Sequence, residues 1–393
     1  MENAYKRSSR VLFVNPLLAS HRRLAQYSVQ MTRIGALISE LYEPALLTGS
    51  SILPVNTART IDGVSVYITK SIQIPILKRL FYALGEWFQG LDFILKSYHP
   101  DCLVCAEDLS LSTLQCIRHG RRLEIPVIVY SGLYINTGFP MGLPHFVYSK
   151  TVGRSVYSDA DALVAKTTRA AQYLHAVGYP SKRIYIVPPT IDMERFQKCK
   201  PPKWFSSLKK EDQKVMLFVG GLTAHKNPTL LMDALVRVRE SENAVLYAVV
   251  KDGAKARAFM NMIRKNNLQP FVKILKNVPA IDMPGLYSAA DVLVSTSLVE
   301  IFGMNLLECL ACGTPVVSTP TAGPTDMIID GLNGYLARDF SSESIADALL
   351  SVLRRSSEYS LSAQAIRSSI IGKFDEQTVA KKWIRILTRV IGS

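Results

Sequence analysis

Glu300-Ile-Phe-Gly303-Met304-Asn305-Leu-Leu-Glu308-Cys-Leu-Ala-Cys-Gly313-Thr-Pro-Val-Val317 reads as a loop, a short helix, a glycine stop and a buried strand. Gly303 lets the backbone approach a ligand closely, Asn305 or its neighbour starts the helix, and Gly313 ends it. The free N–H groups of that helix N-terminus, with the helix dipole behind them, make a seat for phosphate, and a diphosphate is the natural guest. Glu308 lies about one turn into the helix, within reach of paired ribose hydroxyls, as an acidic residue is in dinucleotide-binding folds. The two carboxylates bracket a ligand, Glu300 toward a sugar and Glu308 toward a nucleoside. Two glutamates at this spacing are by themselves ordinary solvated charges.

Outward from this stretch the chain alternates short apolar runs with helix-compatible segments. Upstream lie Val215–Val219, Ala244–Val250, Val272–Leu275 and Val292–Ser295, and Pro315–Ser318 follows. An earlier series runs through 10–15, 102–106, 125–130, 162–165 and 184–189, with helical patterns at 24–41, 111–123 and 170–177. Alternating strands and helices predict parallel sheets covered on both faces. Lys198–Lys214, rich in Lys, Pro and Ser, reads as the linker. The expected architecture is α/β, two Rossmann-like domains facing each other across a cleft. The N-terminal domain takes residues 1–195 and the donor-binding domain 196–375. An amphipathic helix over 376–393 crosses back toward the first domain.

The 393 residues carry 46 Lys and Arg against 32 Asp and Glu, a net charge of +14. Residues 1–190 hold 20 against 12, residues 191–393 hold 26 against 20, so the N-terminal half is the more lopsided. That balance serves solubility, and it fits an anionic partner: a phosphorylated acceptor, an acidic lipid surface or nucleic acid. No RNP-like aromatic stripe, KH loop or zinc finger accompanies it, and nucleic acid is not expected. Six scattered cysteines, among them the pairs Cys102/Cys105 and Cys309/Cys312, read as reduced core residues. Met1–Arg10 is polar and no long apolar run is present, so the expected location is cytoplasmic, extending to the inner face of a membrane. Ile74–Tyr98 mixes Leu, Phe and Trp87 with Lys78, Arg79 and Lys96, as either an interfacial helix or buried core.

Residues 300–317 resemble the signature of the family 4 retaining glycosyltransferases, almost position by position. The resemblance extends to Tyr287-Ser-Ala-Ala-Asp-Val-Leu-Val-Ser-Thr-Ser, Gly323-Pro324 and Asp330-Gly-Leu-Asn-Gly334. It continues in Phe218-Val-Gly-Gly-Leu with Lys226-Asn, and in Lys182–Phe196, covering roughly 155–392. It implies the GT-B fold and transfer of a hexose, with retention, from a UDP- or GDP-sugar to a glycan or lipid-linked acceptor. It implies that Lys226 neutralises the donor diphosphate, that amides around Gly303, Met304 and Asn305 hold its oxygens, that Glu300 meets the sugar hydroxyls and that Glu308 binds the ribose. A fixed cation and a helix N-terminus stabilise a leaving diphosphate with no metal and no other cofactor.

The chain departs from the family's pattern at four places. Gly221 stands where an arginine is usual, Lys251 where a glycine is common, the loop Asn15-Pro-Leu-Leu-Ala-Ser20 after the opening strand lacks the common paired glycines, and Ser131-Gly-Leu-Tyr134 lacks the usual histidine. These departures keep open the alternative of a catalytically silent nucleotide-sugar-binding protein of the same fold. Asp159-Ala-Asp161 lacks a third oxygen ligand and reads as structural rather than metal-binding. Glu107 and Asp108, at the end of a first-domain strand, read as acceptor contacts or surface loop charges.

Overall fold

The computed structural model describes residues 8–15, 29–50, 57–73, 86–108, 110–132, 151–180, 183–208, 212–250, 254–355, 358 and 362–392. The chain divides into two compact units, Met1–Thr190 with Glu376–Ser393, and Ile191–Asp375.

The first unit is built on strands β1 (Ser9–Asn15), β2 (Tyr42–Ser50), β3 (Thr57–Ile61), β4 (Val64–Gln73), β5 (Glu86–Phe88), β6 (Cys102–Ala106), β7 (Val127–Ser131), β8 (Ala162–Ala165) and β9 (Ile184–Ile186). Their order is β3-β4-β2-β1-β6-β7-β8-β9, with β5 paired to β4. All pairs are parallel except the β3–β4 hairpin and β4–β5. The period of two is plain in β1. Val11 and Phe13 face a cluster with Trp383, while Leu12 and Val14 face the other with Leu91 and Ile94. Helices Val29–Ile38 and Glu376–Ile391 cover the first face, so the last helix of the chain belongs to this unit. Trp383 packs edge-on against Phe13 and Tyr130, ring centroids 6.3 and 5.3 Å away. Arg33 pairs with Glu376, and the Tyr42 and Thr388 hydroxyls are 2.9 Å apart.

The second unit holds β10 (Lys214–Val219), β11 (Ala244–Val250), β12 (Val272–Lys276), β13 (Val292–Ser295), β14 (Val316–Ser318) and β15 (Gly334–Leu336). The sheet is parallel, in the order β12-β11-β10-β13-β14-β15. Numbered within the unit this is 3-2-1-4-5-6, the dinucleotide-fold order, whose reversal between β10 and β13 opens a crevice at the carboxyl ends of those strands.

Four expectations need correction. Lys198–Lys214 is not a free linker: the division lies between Thr190 and Ile191, Phe196 and Phe205 are buried in the second core, and Pro201 and Pro202 lie close against Gly285. Of the two readings of Ile74–Tyr98, the single interfacial helix fails and buried core holds for the described part. That part is β5 followed by the helix Leu91–Tyr98, which turns Leu91, Ile94 and Leu95 into the core; residues 74–85 lie outside the described residues. The helix expected over 24–41 stops at Ile38 in its described part, leaving Leu41 exposed. Cys199 is exposed, whereas the other five cysteines are buried.

Trp383 is fully buried, and its indole N–H makes no hydrogen bond among the described residues. Trp383→Ala is expected to cost the first unit about 3–5 kcal/mol. Trp383→Phe, which keeps a ring and loses no bond, should cost markedly less. Urea unfolding followed by near-UV circular dichroism measures both.

Candidate functional site

The candidate site forms where β10 and β13 part. After Val219 the chain passes Gly220 and Gly221, makes a single 3₁₀ turn at Ala224–Lys226, and enters the helix Pro228–Arg239 through Asn227. Asn227 adopts a left-handed conformation (φ 48°) and its side chain accepts from Leu230 N at 3.3 Å, so one residue both turns the chain and caps the helix. The segment after β13 is stitched to this turn. The Thr296 hydroxyl donates to the carbonyls of Lys226 (3.0 Å) and Asn227 (3.1 Å), and Leu298 N donates to His225 O at 2.7 Å.

These bonds bring Lys226 and Glu300 together. The ammonium donates to the Glu300 carboxylate, with both side chains partly solvent-accessible, at 21% and 15%. Gly303, at φ 88°, is the N-cap of the helix Met304–Ala311. Its Cα faces Glu300 Cγ and Leu306 so closely that a Cβ there would stand 3.3 and 3.1 Å from them. Asn305 uses its side chain internally: Nδ2 donates to Val219 O at 2.9 Å, and Oδ1 accepts from Leu306 N at 3.0 Å. The helix N-terminus is thereby pinned to the end of β10, beside the Lys226–Glu300 pair.

Glu308 lies one turn further along, and its carboxylate accepts from the Tyr287 hydroxyl at 2.7 Å. Burial pushes the Glu308 carboxyl above its ordinary range, against the smaller downward pulls of the Tyr287 hydroxyl and the Arg195 charge. Tyr287 is itself fixed by Thr314, whose hydroxyl donates to its carbonyl at 2.7 Å. Gly323 supports the loop from below, so close to the Phe302 backbone that no side chain fits there. Met304 is half-buried at the first helical position.

Gly221 lies on the exposed rim with a negative φ, and the one neighbour of a Cβ there would be Thr223 Cγ2 at 3.9 Å. Space therefore does not explain the missing arginine. Lys251 and Tyr134 fall outside the described residues, as does the loop after β1. Thr296, Tyr287 and Asn227 organise the site, and sequence reading assigned them no role. Their signal was position: polar groups at a strand end, a strand-preceding helix and a helix start.

At the carboxyl end of the first unit's sheet, Glu107 takes a left-handed conformation (φ 65°) and pairs with Lys166 at 2.5 Å, whose ammonium also lies 4.9 Å from the Tyr130 ring centre. Asp108 is not the surface charge expected. It is 1% exposed, accepts from Ser131 Oγ at 2.8 Å and from the Tyr157 hydroxyl, and burial raises its carboxyl. Of the Asp-Ala-Asp pair, Asp161 accepts from Val127 N at 2.8 Å and Asp159 pairs with Arg121 at 2.7 Å, so both carboxylates hold the sheet and helix together.

The family of glycosyl transferases group 1 matches residues 200–368. A D-inositol 3-phosphate glycosyltransferase of Geodermatophilus obscurus is 32% identical over 214 residues, 51% of this chain and 47% of that protein. One of Kribbella flavida is 29% identical over 211 residues, 50% and 49%. The chain thus spans about half the length of the curated relatives it matches. Among solved structures, Anabaena Alr3699/HepE in complex with UDP and glucose superposes with a TM-score of 0.74 at 16% identity, over 97% of this chain and 100% of that one. Sucrose-phosphate synthase from Thermosynechococcus elongatus does so with 0.77 at 14%, over 98% and 99%. With the strand order of both units, the likenesses to solved structures identify the fold as GT-B, and within it residues 200–368, which hold Lys226, Glu300 and Gly303, match the glycosyl transferases group 1 family.

Proposed function

We propose that the chain is a retaining hexosyltransferase that takes its sugar from a UDP- or GDP-linked donor and passes it to a glycan or lipid-linked acceptor. The observation that carries this reading is the pairing of Lys226 with Glu300 beside the Gly303 helix N-terminus, at the switch point between β10 and β13. The donor diphosphate lies on the Met304 and Asn305 amides, and Lys226 leaves Glu300 for it. Glu300, so released, accepts from the sugar hydroxyls, and Glu308 from the ribose. The bond from the anomeric carbon to the phosphate oxygen breaks with its electron pair going to the diphosphate. The acceptor oxygen bonds the same face, and its proton passes to the departing phosphate oxygen. Charge on that diphosphate is met by Lys226 and the helix N-terminus, without a divalent ion. HepE, solved with UDP and glucose, supports a nucleotide-sugar donor, and the relatives named for D-inositol 3-phosphate support a phosphorylated acceptor for the basic N-terminal half.

Donor hydrolysis across a panel of UDP- and GDP-hexoses, in EDTA, tests the reading. One donor should release nucleotide slowly; Lys226→Ala should lower that rate about a hundredfold or more, as does loss of one preorganised charge partner, and Glu300→Ala should abolish it. Tight nucleotide binding with no release from any donor, even with an acceptor panel present, would favour the silent binding protein instead.

Gly221→Arg adds a second cation on the rim where a side chain has room, and is expected to tighten UDP or GDP binding about three- to tenfold, read by calorimetry. Glu308→Gln tests the buried carboxyl. A carboxyl whose folded value lies above its unfolded value destabilises the fold once pH exceeds the unfolded value of about 4.3. The glutamine variant should therefore melt higher than wild type at pH 7–8 and lose that advantage toward pH 4, while binding nucleotide more weakly.

A further inference from the structure

One face of the C-terminal helix closes the first unit's core, and the face beside it is built for another purpose. Lys382, Arg385 and Arg389, spaced i, i+3 and i+7, share one side of the helix next to the buried stripe of Val379, Trp383 and Ile386. That side borders β9, the edge strand of the sheet. Between strand and helix lies a hollow of about 480 Å³, floored by Tyr185, Ile186 and Ile386 and rimmed by the three cations. Ile186 is 44% exposed within it.

Several cations elsewhere in the unit are answered by acids: Arg10 by Glu43, Arg33 by Glu376, Arg121 by Asp159, Arg122 by Asp92 and Lys166 by Glu107. From Gln377 to Ile391 the helix has no acidic residue, and among the described residues Arg385 and Arg389 make no ion pair. The face also has a limit. At the helix's C-terminal end, Val390 and Ile391 border a second hollow that gathers Asp101, Glu124, Asp159 and Asp161 against the single cation Arg121, so its balance is acidic.

We propose that the β9–C-terminal helix face docks on an anionic lipid bilayer. Exposed apolar surface ringed by long cationic side chains is the composition of an interfacial surface: Ile186 and the methylene stems enter the headgroup boundary while the charged ends meet lipid phosphates. A free phosphate would be held by the cations alone and would leave Ile186 without a role. The acidic hollow fixes the orientation, since a bilayer repels that end. The inference does not use the donor site or turnover, so it stands or falls separately from the glycosyltransferase reading.

Co-sedimentation of the full chain with phosphatidylcholine vesicles, with and without phosphatidylglycerol, tests it. The chain should pellet with the anionic vesicles at low salt and stay in the supernatant with the zwitterionic ones. Combining Lys382→Gln, Arg385→Gln and Arg389→Gln should weaken the partition about a hundredfold, at roughly fivefold per cation. Lys96→Gln, Arg118→Gln and Arg122→Gln combined remove the same charge from two other helices and should change it only a few-fold. Ile186→Ser, at an exposed site where folding is not at risk, should weaken binding by a similar factor at low and at moderate salt. Wild type that remains in the supernatant overturns the proposal. So does a Lys382/Arg385/Arg389 triple variant that binds like wild type, or a control triple that loses as much.

Discussion

The site rests on the parting of two neighbouring parallel strands. β10 and β13 are paired side by side, yet the chain leaves β10 toward β11 on one side and β13 toward β14 on the other. The two exits would separate if nothing held them. Thr296 and Leu298 hold them, through three hydrogen bonds to the carbonyls of His225, Lys226 and Asn227. Everything proposed for the donor depends on that stitch, because Lys226 and Glu300 come from opposite exits. A backbone-directed tie leaves the two side chains to pair with each other.

The same economy governs the helix that follows. Asn305 uses its side chain on Val219 and Leu306, so any ligand contact there falls to the backbone of the helix start, which Gly303 caps by conformation and not by a side-chain bond. Glu308 is different in kind. Its carboxyl is buried at a disadvantage that one tyrosine hydroxyl only partly offsets.

Much of this was legible before any coordinates. The helices Leu111–Leu123 and Glu376–Ile391 lie where their periodicity placed them, the first between a Ser110 cap and a left-handed Glu124. The loop, helix and strand of 300–317 were readable because glycine and apolar runs alternate sharply. What escaped reading has physical causes. β4 alternates buried Val64, Val66 and Ile68 with Ser65 and Tyr67 at the sheet margin, so it lacks the continuous apolar run of a central strand, although the Asp62-Gly63 turn that joins it to β3 is a hairpin signal with positive φ at both residues. Phe205 anchors the second core from within a stretch whose Lys, Pro and Ser content reads as linker. Asp108 sits in a loop by sequence and in the interior by structure, since two hydroxyls from β7 and the helix Val152–Asp159 reach it.

The two units repeat one topology with different residues. In each, the first strand is flanked by the second and fourth parallel strands of its unit, so the switch point of the first unit lies between β1 and β6 as that of the second lies between β10 and β13. A cation–carboxylate pair marks the carboxyl ends of both sheets: Lys226 with Glu300 in one, Lys166 with Glu107 in the other. Glu107 pays for its place with a left-handed backbone that a residue with a side chain adopts at about 1 kcal/mol or more. The turn is kept by the Thr113 hydroxyl, which donates to the Glu107 carbonyl at 2.7 Å, and by Glu107 N on Tyr130 O at 3.0 Å. The two pairs differ in place: Lys226 and Glu300 leave the strands on either side of their switch point, whereas Glu107 leaves β6 and Lys166 leaves β8, with β7 between them, so the first unit's pair lies to one side of its own switch point.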